Sequence, residues 1–293
     1  MRLITVFIAV CLLVTSCNAA APQRQGTDNN NRENHGGNDA SAKNNDVNAQ
    51  GVRPLAETPA PNLAGGPEHH VRKVKPASNW LMQRKYPNTV VLQGLRTKKQ
   101  IALTFDDGPD RRFTPAVLDV LKKHGVKGTF FLMGSRAKAL PDVTSRIARE
   151  GHVIGNHTYW HPKLFEQSIG RVDWEVSSTQ QAIQDIAGYA PRLFRAPYGG
   201  LDDDIVGYMQ RRDFTVVGWN VDSQDWKQIP ADQIIANCLP NIGSGSIVLM
   251  HTAGNWNQIL HTHEALDRMI PKLKQQGYRF VTVSEMFGIP KSK

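Results

Sequence analysis

"ALTFDDGPD", residues 102–110, runs an apolar segment into two adjacent carboxylates, Asp106 and Asp107, and then breaks at Gly108-Pro109. The apolar part reads as a buried strand and Gly-Pro as the turn that leaves it. One aspartate suffices for such a turn, so the second carboxylate is free for chemistry. Six further β-type runs follow the first, "QIALTF" (100–105): "GTFFLMG" (128–134), "HVIGNH" (152–157), "RLFRAP" (192–197), "FTVVGWN" (214–220), "SIVLMHT" (246–252) and "RFVTVS" (279–284). Amphipathic stretches lie between most of them. "TPAVLDVLKKHG", with Val117, Leu118, Val120 and Leu121 on one side, reads as a helix closed by Gly125; two others close at Gly151 and Gly277. Pro271 is expected to kink or reset the last of these. Residues 164–188 read as a long polar helix with Ile183 and Ile186 on its buried side. Seven runs alternating with helices predict a parallel α/β sheet, and seven is close to the eight of a (β/α) barrel.

In either architecture the chemistry sits at the C-terminal ends of the strands. Those ends hold Asp106 and Asp107; His157, with His161 four residues on; Arg195; Asp222, Asp225 and Trp226; and His251. Two histidines four apart share one face if helical and suit a divalent transition ion. A carboxylate from another strand end completes a set with coordination positions left for water and substrate. Hydrolysis at such an ion needs a base for the water and an acid for the leaving group. The doublet offers one carboxylate to the ion and one to the water, and His251 can protonate the leaving atom from the other side. Arg195 would orient a carboxylate, and Asp225 would favour a protonated His251. His152, His261 and His263 read as packing or solvated side chains, and no repeat of fixed period appears.

The chain of 293 residues is 40% hydrophobic and 21% charged, but unevenly so. Residues 1–16, "MRLITVFIAVCLLVTS", read as a secretory signal, too short for a spanning helix. Val14-Thr15-Ser16-Cys17 resembles a bacterial lipobox, which implies cleavage before a lipidated Cys17; ordinary cleavage a few residues later is the alternative. Residues 17–75, rich in Asn, Gly, Ala and Pro, read as a disordered tether with a typical reach of about 40 Å. Residues 76–293 then form the folded domain. Localisation follows: exported and anchored to the outer face of the bacterial cytoplasmic membrane, or else secreted. Cys238, the cysteine left in the domain, reads as a small apolar helix residue, so no internal disulfide is expected. The net charge of +9, most of it in the folded part, fits a polyanionic envelope surface and equally a charge that only gives solubility. Nucleic acid is not an expected partner, since no basic-aromatic motif appears.

"TFDDGP" (104–109), "HTYWH" (157–161), "RAPYG" (195–199), "DSQDW" (222–226) and "LMH" (249–251) resemble, in order, the five motifs of the polysaccharide deacetylases. This is carbohydrate esterase family four, the NodB-homology domain, and the resemblance covers residues 98–286. It implies a distorted (β/α) barrel of about seven parallel strands and metal-dependent removal of acetyl groups from sugars. It assigns Asp106 as general base, Asp107, His157 and His161 as metal ligands, and His251 as general acid. Arg195 supports Asp106 and Asp225 supports His251. The Tyr198 N–H would stabilise the oxyanion, while Trp226 and Leu249 would wall the acetyl pocket. The cofactor implied is one divalent transition ion, zinc first, then cobalt, nickel or manganese. The implied activity is de-N-acetylation of N-acetylglucosamine polymers, with peptidoglycan preferred over chitin-type oligomers and poly-N-acetylglucosamine. The rivals are O-acetyl esterase action and a non-catalytic wall-binding module. A monomer is expected.

Overall fold

Nine strands form among residues 75–254 and 259–293, the parts of the chain that the computed structural model describes. They are β1 (Val90–Val91), β2 (Gln100–Asp106), β3 (Thr129–Leu132), β4 (Val153–Asn156), β5 (Leu193–Phe194), β6 (Thr215–Val217), β7 (Val221–Asp222), β8 (Ser246–His251) and β9 (Arg279–Phe280). The leader, Cys17 and the tether up to residue 74 lie outside the described residues.

Every pairing among these nine strands is parallel, in the order β1-β6-β5-β4-β3-β2-β8-β7, with β9 added beside the start of β2. The order explains the curvature. β6 and β7 are only three residues apart in the chain, yet β6 pairs with β5 and β7 with β8 at the far end of the path. The sheet therefore curls until three residues, 218–220, join its two ends, which gives the distorted (β/α) barrel.

Side chains alternate across this curled sheet with period two. Ile101, Leu103 and Phe105 face outward and pack with Val117, Leu118 and Leu121 of the helix Phe113–Lys123. The opposite face forms the barrel interior, where Ala102, Phe131, Val153, Leu193, Val217 and Ile247 meet in one apolar layer. Two residues further along β2, β5 and β8 come Thr104, Arg195 and Leu249, and then Asp106 and His251. Asp106 and His251 are register partners across β2–β8. The polar site is thus the top of a stack whose base is apolar.

The helices close as their glycines predict, with Gly125, Gly151 and Gly277 at φ 62, 81 and 83°. The polar stretch becomes the helix Ile169–Ala187, capped by the Ser168 side chain. Three readings change. The helix Thr262–Gln275 runs through Pro271 without a break, because Leu266, Met269, Ile270 and Leu273 seat both halves on the core. The run 279–284 stops as a strand at Phe280, since Thr282 and Glu285 make a capping box that starts the helix Val283–Phe287. The strand count is nine rather than seven, because β1 and β7 have two residues each and leave no periodic signal.

Gly155 on β4 carries one consequence for the site. A Cβ there would run into the Phe131 ring, and that ring lies 4.2 Å beneath the Arg195 guanidinium. Gly155→Ala should overpack the interior and destabilise the domain by about 1–3 kcal/mol, read as a lower denaturation midpoint at unchanged slope.

Candidate active site

Arg195 forms the floor of the site. It is 1% exposed, a position where a charged side chain must be fully paired. Its Nε donates to Val217 O at 3.0 Å and its Nη2 to Gly218 O at 3.0 Å. Its Nη1 donates to Thr104 Oγ1 at 2.9 Å and to Asp106 Oδ1 at 2.7 Å. Burial lowers the Arg195 pKa, an effect that the Asp106 charge offsets in part. One carboxylate of the doublet is thereby locked, and its second oxygen, Oδ2, lies 3.8 Å from His157 Nε2.

Asp107 goes elsewhere. Its φ of 69° places it in the left-handed region, which aspartate tolerates better than most residues. This turn brings Asp107 over the barrel mouth beside Asp106 instead of among the outer helices. Asp107 Oδ1 lies 3.3 Å from His157 Nε2 and 3.2 Å from His161 Nε2. It is a buried acceptor with no hydrogen-bond partner, so it approaches both ring nitrogens without the alignment of a hydrogen bond. Burial pushes its carboxyl up, but the two imidazoles pull harder and hold it well below the usual carboxylate range.

The loop that carries both histidines is not helical. Residues 157–161 are irregular, with Thr158 and His161 at φ 66 and 60°, yet both ring nitrogens converge. Backbone bonds hold them there. Asn156 Oδ1 accepts from the Thr158 N–H and Thr158 Oγ1 from the His161 N–H. Glu175 Oε2 accepts from the N–H groups of both Tyr159 and Trp160 at 2.8 Å. That carboxylate is fully buried and paired with Arg171 at 2.6 Å. His157 Nδ1 donates to Arg195 O at 2.8 Å, which leaves the Nε2 lone pair for a ligand.

Asp107 Oδ1, His157 Nε2 and His161 Nε2 lie within 4.8 Å of one another. Two imidazoles and one carboxylate around an orphaned buried oxygen form the donor set of a divalent transition ion. An ion there would satisfy Oδ1, so the residues fit the metal that the sequence implies.

His251 faces this cluster from β8. Its Nδ1 donates to Asp225 Oδ1 at 2.7 Å, and its N–H donates to Asp225 Oδ2 at 2.8 Å. Asp225 is fully buried and also accepts from Thr262 Oγ1 at 2.6 Å. Burial pulls the His251 pKa down, but the Asp225 carboxylate outweighs it and pushes the value up to about 9. The imidazole is therefore protonated at neutral pH, with Nε2 free to donate.

A cavity of about 380 Å³ lies over these groups. Tyr198 and Trp226 stand exposed at its rim and Leu249 is buried in its wall, so the structure brings all ten site residues of the sequence reading into one place. Cys17 lies outside the described residues. Sequence reasoning missed Thr104, Glu175, Thr262 and Trp219. Thr104 was detectable, because it lies two residues before Asp106 and shares its face. Glu175 and Thr262 act from helices far along the chain, and nothing local marks them. Cys238 is buried as expected, and burial pushes its thiol up to about 12.

Residues 93–217 match the family described as polysaccharide deacetylase. The chain is similar to a peptidoglycan-N-acetylglucosamine deacetylase of Bacillus cereus, at 41% identity over 73% of this chain and 76% of the relative. It is also similar to the peptidoglycan-N-acetylglucosamine deacetylase of Listeria monocytogenes, at 38% identity over 77% of this chain and 48% of the relative. The match thus spans about three quarters of one relative and half of the other. Among solved structures, the Bc1960 peptidoglycan N-acetylglucosamine deacetylase, crystallised with 4-naphthalen-1-yl-N-oxidanyl-benzamide, superposes with a TM-score of 0.70. That pair shares 41% identity over 74% of this chain and 100% of the other.

The Asp225–His251 pair yields a measurable titration. Asp225→Asn should lower the His251 pKa from about 9 toward the ordinary imidazole value. NMR titration of the metal-free protein would show the neutral ring appearing at lower pH in the variant than in the wild type.

Proposed function

The chain belongs to the polysaccharide deacetylase family, and from that premise we propose that it hydrolyses the N-acetyl amide of N-acetylglucosamine units in peptidoglycan. The observation that carries this reading is the division of the doublet: Asp106 is locked by Arg195, while Asp107 stands unbonded between two imidazoles. Such a split supplies a base and an ion site within one strand end. The family is metal-dependent, and zinc fits the donor set of Asp107, His157 and His161 best, with cobalt, nickel or manganese as substitutes.

When bound, the ion supplies Lewis acidity to the amide carbonyl and lowers the pKa of water beside it. The protein does the rest. Asp106 Oδ2, its partner oxygen held by Arg195, takes a proton from the attacking water. The Tyr198 backbone N–H donates to the oxyanion. Trp226 and Leu249 receive the acetyl methyl and keep water off that side. His251, held in orientation by Asp225, gives its proton to the departing nitrogen. Water and amide are consumed, and acetate and the free amine are released. Chelation should abolish acetate release from N-acetylated chito-oligomers and peptidoglycan, with zinc or cobalt restoring it; full activity without metal would contradict this reading. Acetate release from acetylxylan instead would favour an O-acetyl esterase.

The leader and tether support a second part of the proposal: export, lipidation at Cys17 and attachment to the outer face of the cytoplasmic membrane. A tether of about 40 Å lets an anchored domain reach the wall polymer. Fractionation tests this, since Cys17→Ser should move the protein from the membrane to the medium. Retention of the variant at the membrane would contradict it.

A further inference from the structure

The cavity over the ion site opens on two sides. One side is the 380 Å³ lobe already described, walled by Trp219, Ala196 and Leu249. The other, of about 360 Å³, shares Asp107, His161, Tyr198, Trp226 and His251 with it and continues past Met133 and Arg136 to Leu260. A polymer bound with its reacting sugar over the ion site has room for a neighbouring sugar in this second lobe.

Arg136 has no role in the chemistry. It lies in the short helix Gly134–Ala139, whose start is fixed to both ligand-bearing loops. The Met133 N–H donates to Gly108 O at 3.0 Å, Gly134 N–H to Thr158 O at 2.9 Å, and Ser135 N–H to Tyr159 O at 3.2 Å. The Arg136 backbone is therefore as firmly placed as the ion ligands themselves. Its side chain is half-buried in the lobe wall, and among the described residues its guanidinium has neither a hydrogen-bond nor an ion-pair partner. The acid lining the lobe is Asp107, which is committed to the two histidines. An ion at Asp107 would add positive charge, so among the described residues the lobe presents a cationic wall with no carboxylate to answer Arg136. A guanidinium in that setting matches a planar carboxylate, bound bidentately and strengthened by partial exclusion of water.

We propose that Arg136 is a specificity-determining residue that takes a carboxylate borne by the sugar next to the reacting N-acetylglucosamine. This rests on the function proposed above and narrows its substrate to glycans that carry acid groups. In peptidoglycan the neighbouring sugar carries a lactyl ether whose own carboxylate is free once the peptide is removed, and whose attached peptide brings carboxylates of its own. Chitin-type oligomers offer neither.

The test compares the full zinc-loaded chain with its Arg136→Gln and Arg136→Lys variants on three probes: chitopentaose, glycan strands stripped of peptide by an amidase, and soluble strands with their peptides. Zinc content and melting temperature report on the fold of each variant. In Arg136→Gln the ratio of kcat/KM on carboxylated strands to that on chitopentaose should fall about tenfold, the loss of one charge-assisted contact, with the change in KM. Arg136→Lys should recover part of it, and raised salt should shrink the wild-type ratio. A fall confined to stripped strands assigns the contact to the lactyl carboxylate, which is an amide in intact strands; a fall confined to intact strands assigns it to the peptide, and a fall on both shows that Arg136 takes either carboxylate. An unchanged ratio overturns the role of Arg136 alone. A wild type that releases acetate from none of the three overturns both this role and the function beneath it.

Discussion

The buried guanidinium of Arg195 is the constraint around which the rest of the site is arranged. Without partners, a charge in that interior would cost several kcal/mol. The fold meets it with two carbonyls from the point where the sheet's ends meet, a hydroxyl from β2, the face of Phe131 and the Asp106 carboxylate. These partners come from β2, β3 and the run 215–222, so pairing the charge also fixes how the curled sheet closes. Arg195 further accepts from His157 through its carbonyl, which sets the tautomer of an ion ligand. Folding and function meet in that one residue.

From this follows the different treatment of two adjacent aspartates. Asp106 stays in the extended geometry of β2 and points down to the guanidinium. Asp107 turns into the left-handed region and points at the histidines. Backbone strain of this type costs about 1–3 kcal/mol and persists only where the surroundings enforce it. The same conformation recurs at His161 and Tyr198, which line the same cavity, and at Thr158 in the histidine loop. Glu175 illustrates the enforcement, because it fastens the loop between the two histidines from beneath. An ion site built this way is preorganised and loses little conformational entropy on binding.

The parallel α/β fold was legible because β2, β3, β4 and β8 are apolar runs with clear ends, separated by helices with amphipathic faces and glycine caps. The two-residue strands β1 and β7 were not, since alternation needs more residues than they have. The separation of β6 and β7, neighbours in the chain, to the two ends of the sheet is a long-range event with no local signature. Within the site, the charged residues stand at strand ends, where position alone marks them. Four-residue spacing puts two histidines on one face only in a helix, whereas here side-chain caps on the backbone shape the loop 157–161 and bring the rings together. Thr262 and Glu175 contribute one hydrogen bond network each from remote helices, and only three-dimensional proximity gives them meaning.

The division of labour within the doublet is the central claim, and Asp106→Asn tests it most directly. The substitution keeps the size and shape of the side chain and removes its ability to accept a proton. Zinc per folded protein, measured by mass spectrometry after gel filtration, should match the wild type, while acetate release from N-acetylated chito-oligomers is lost. Loss of the ion together with turnover, or turnover that survives the substitution, would contradict the account.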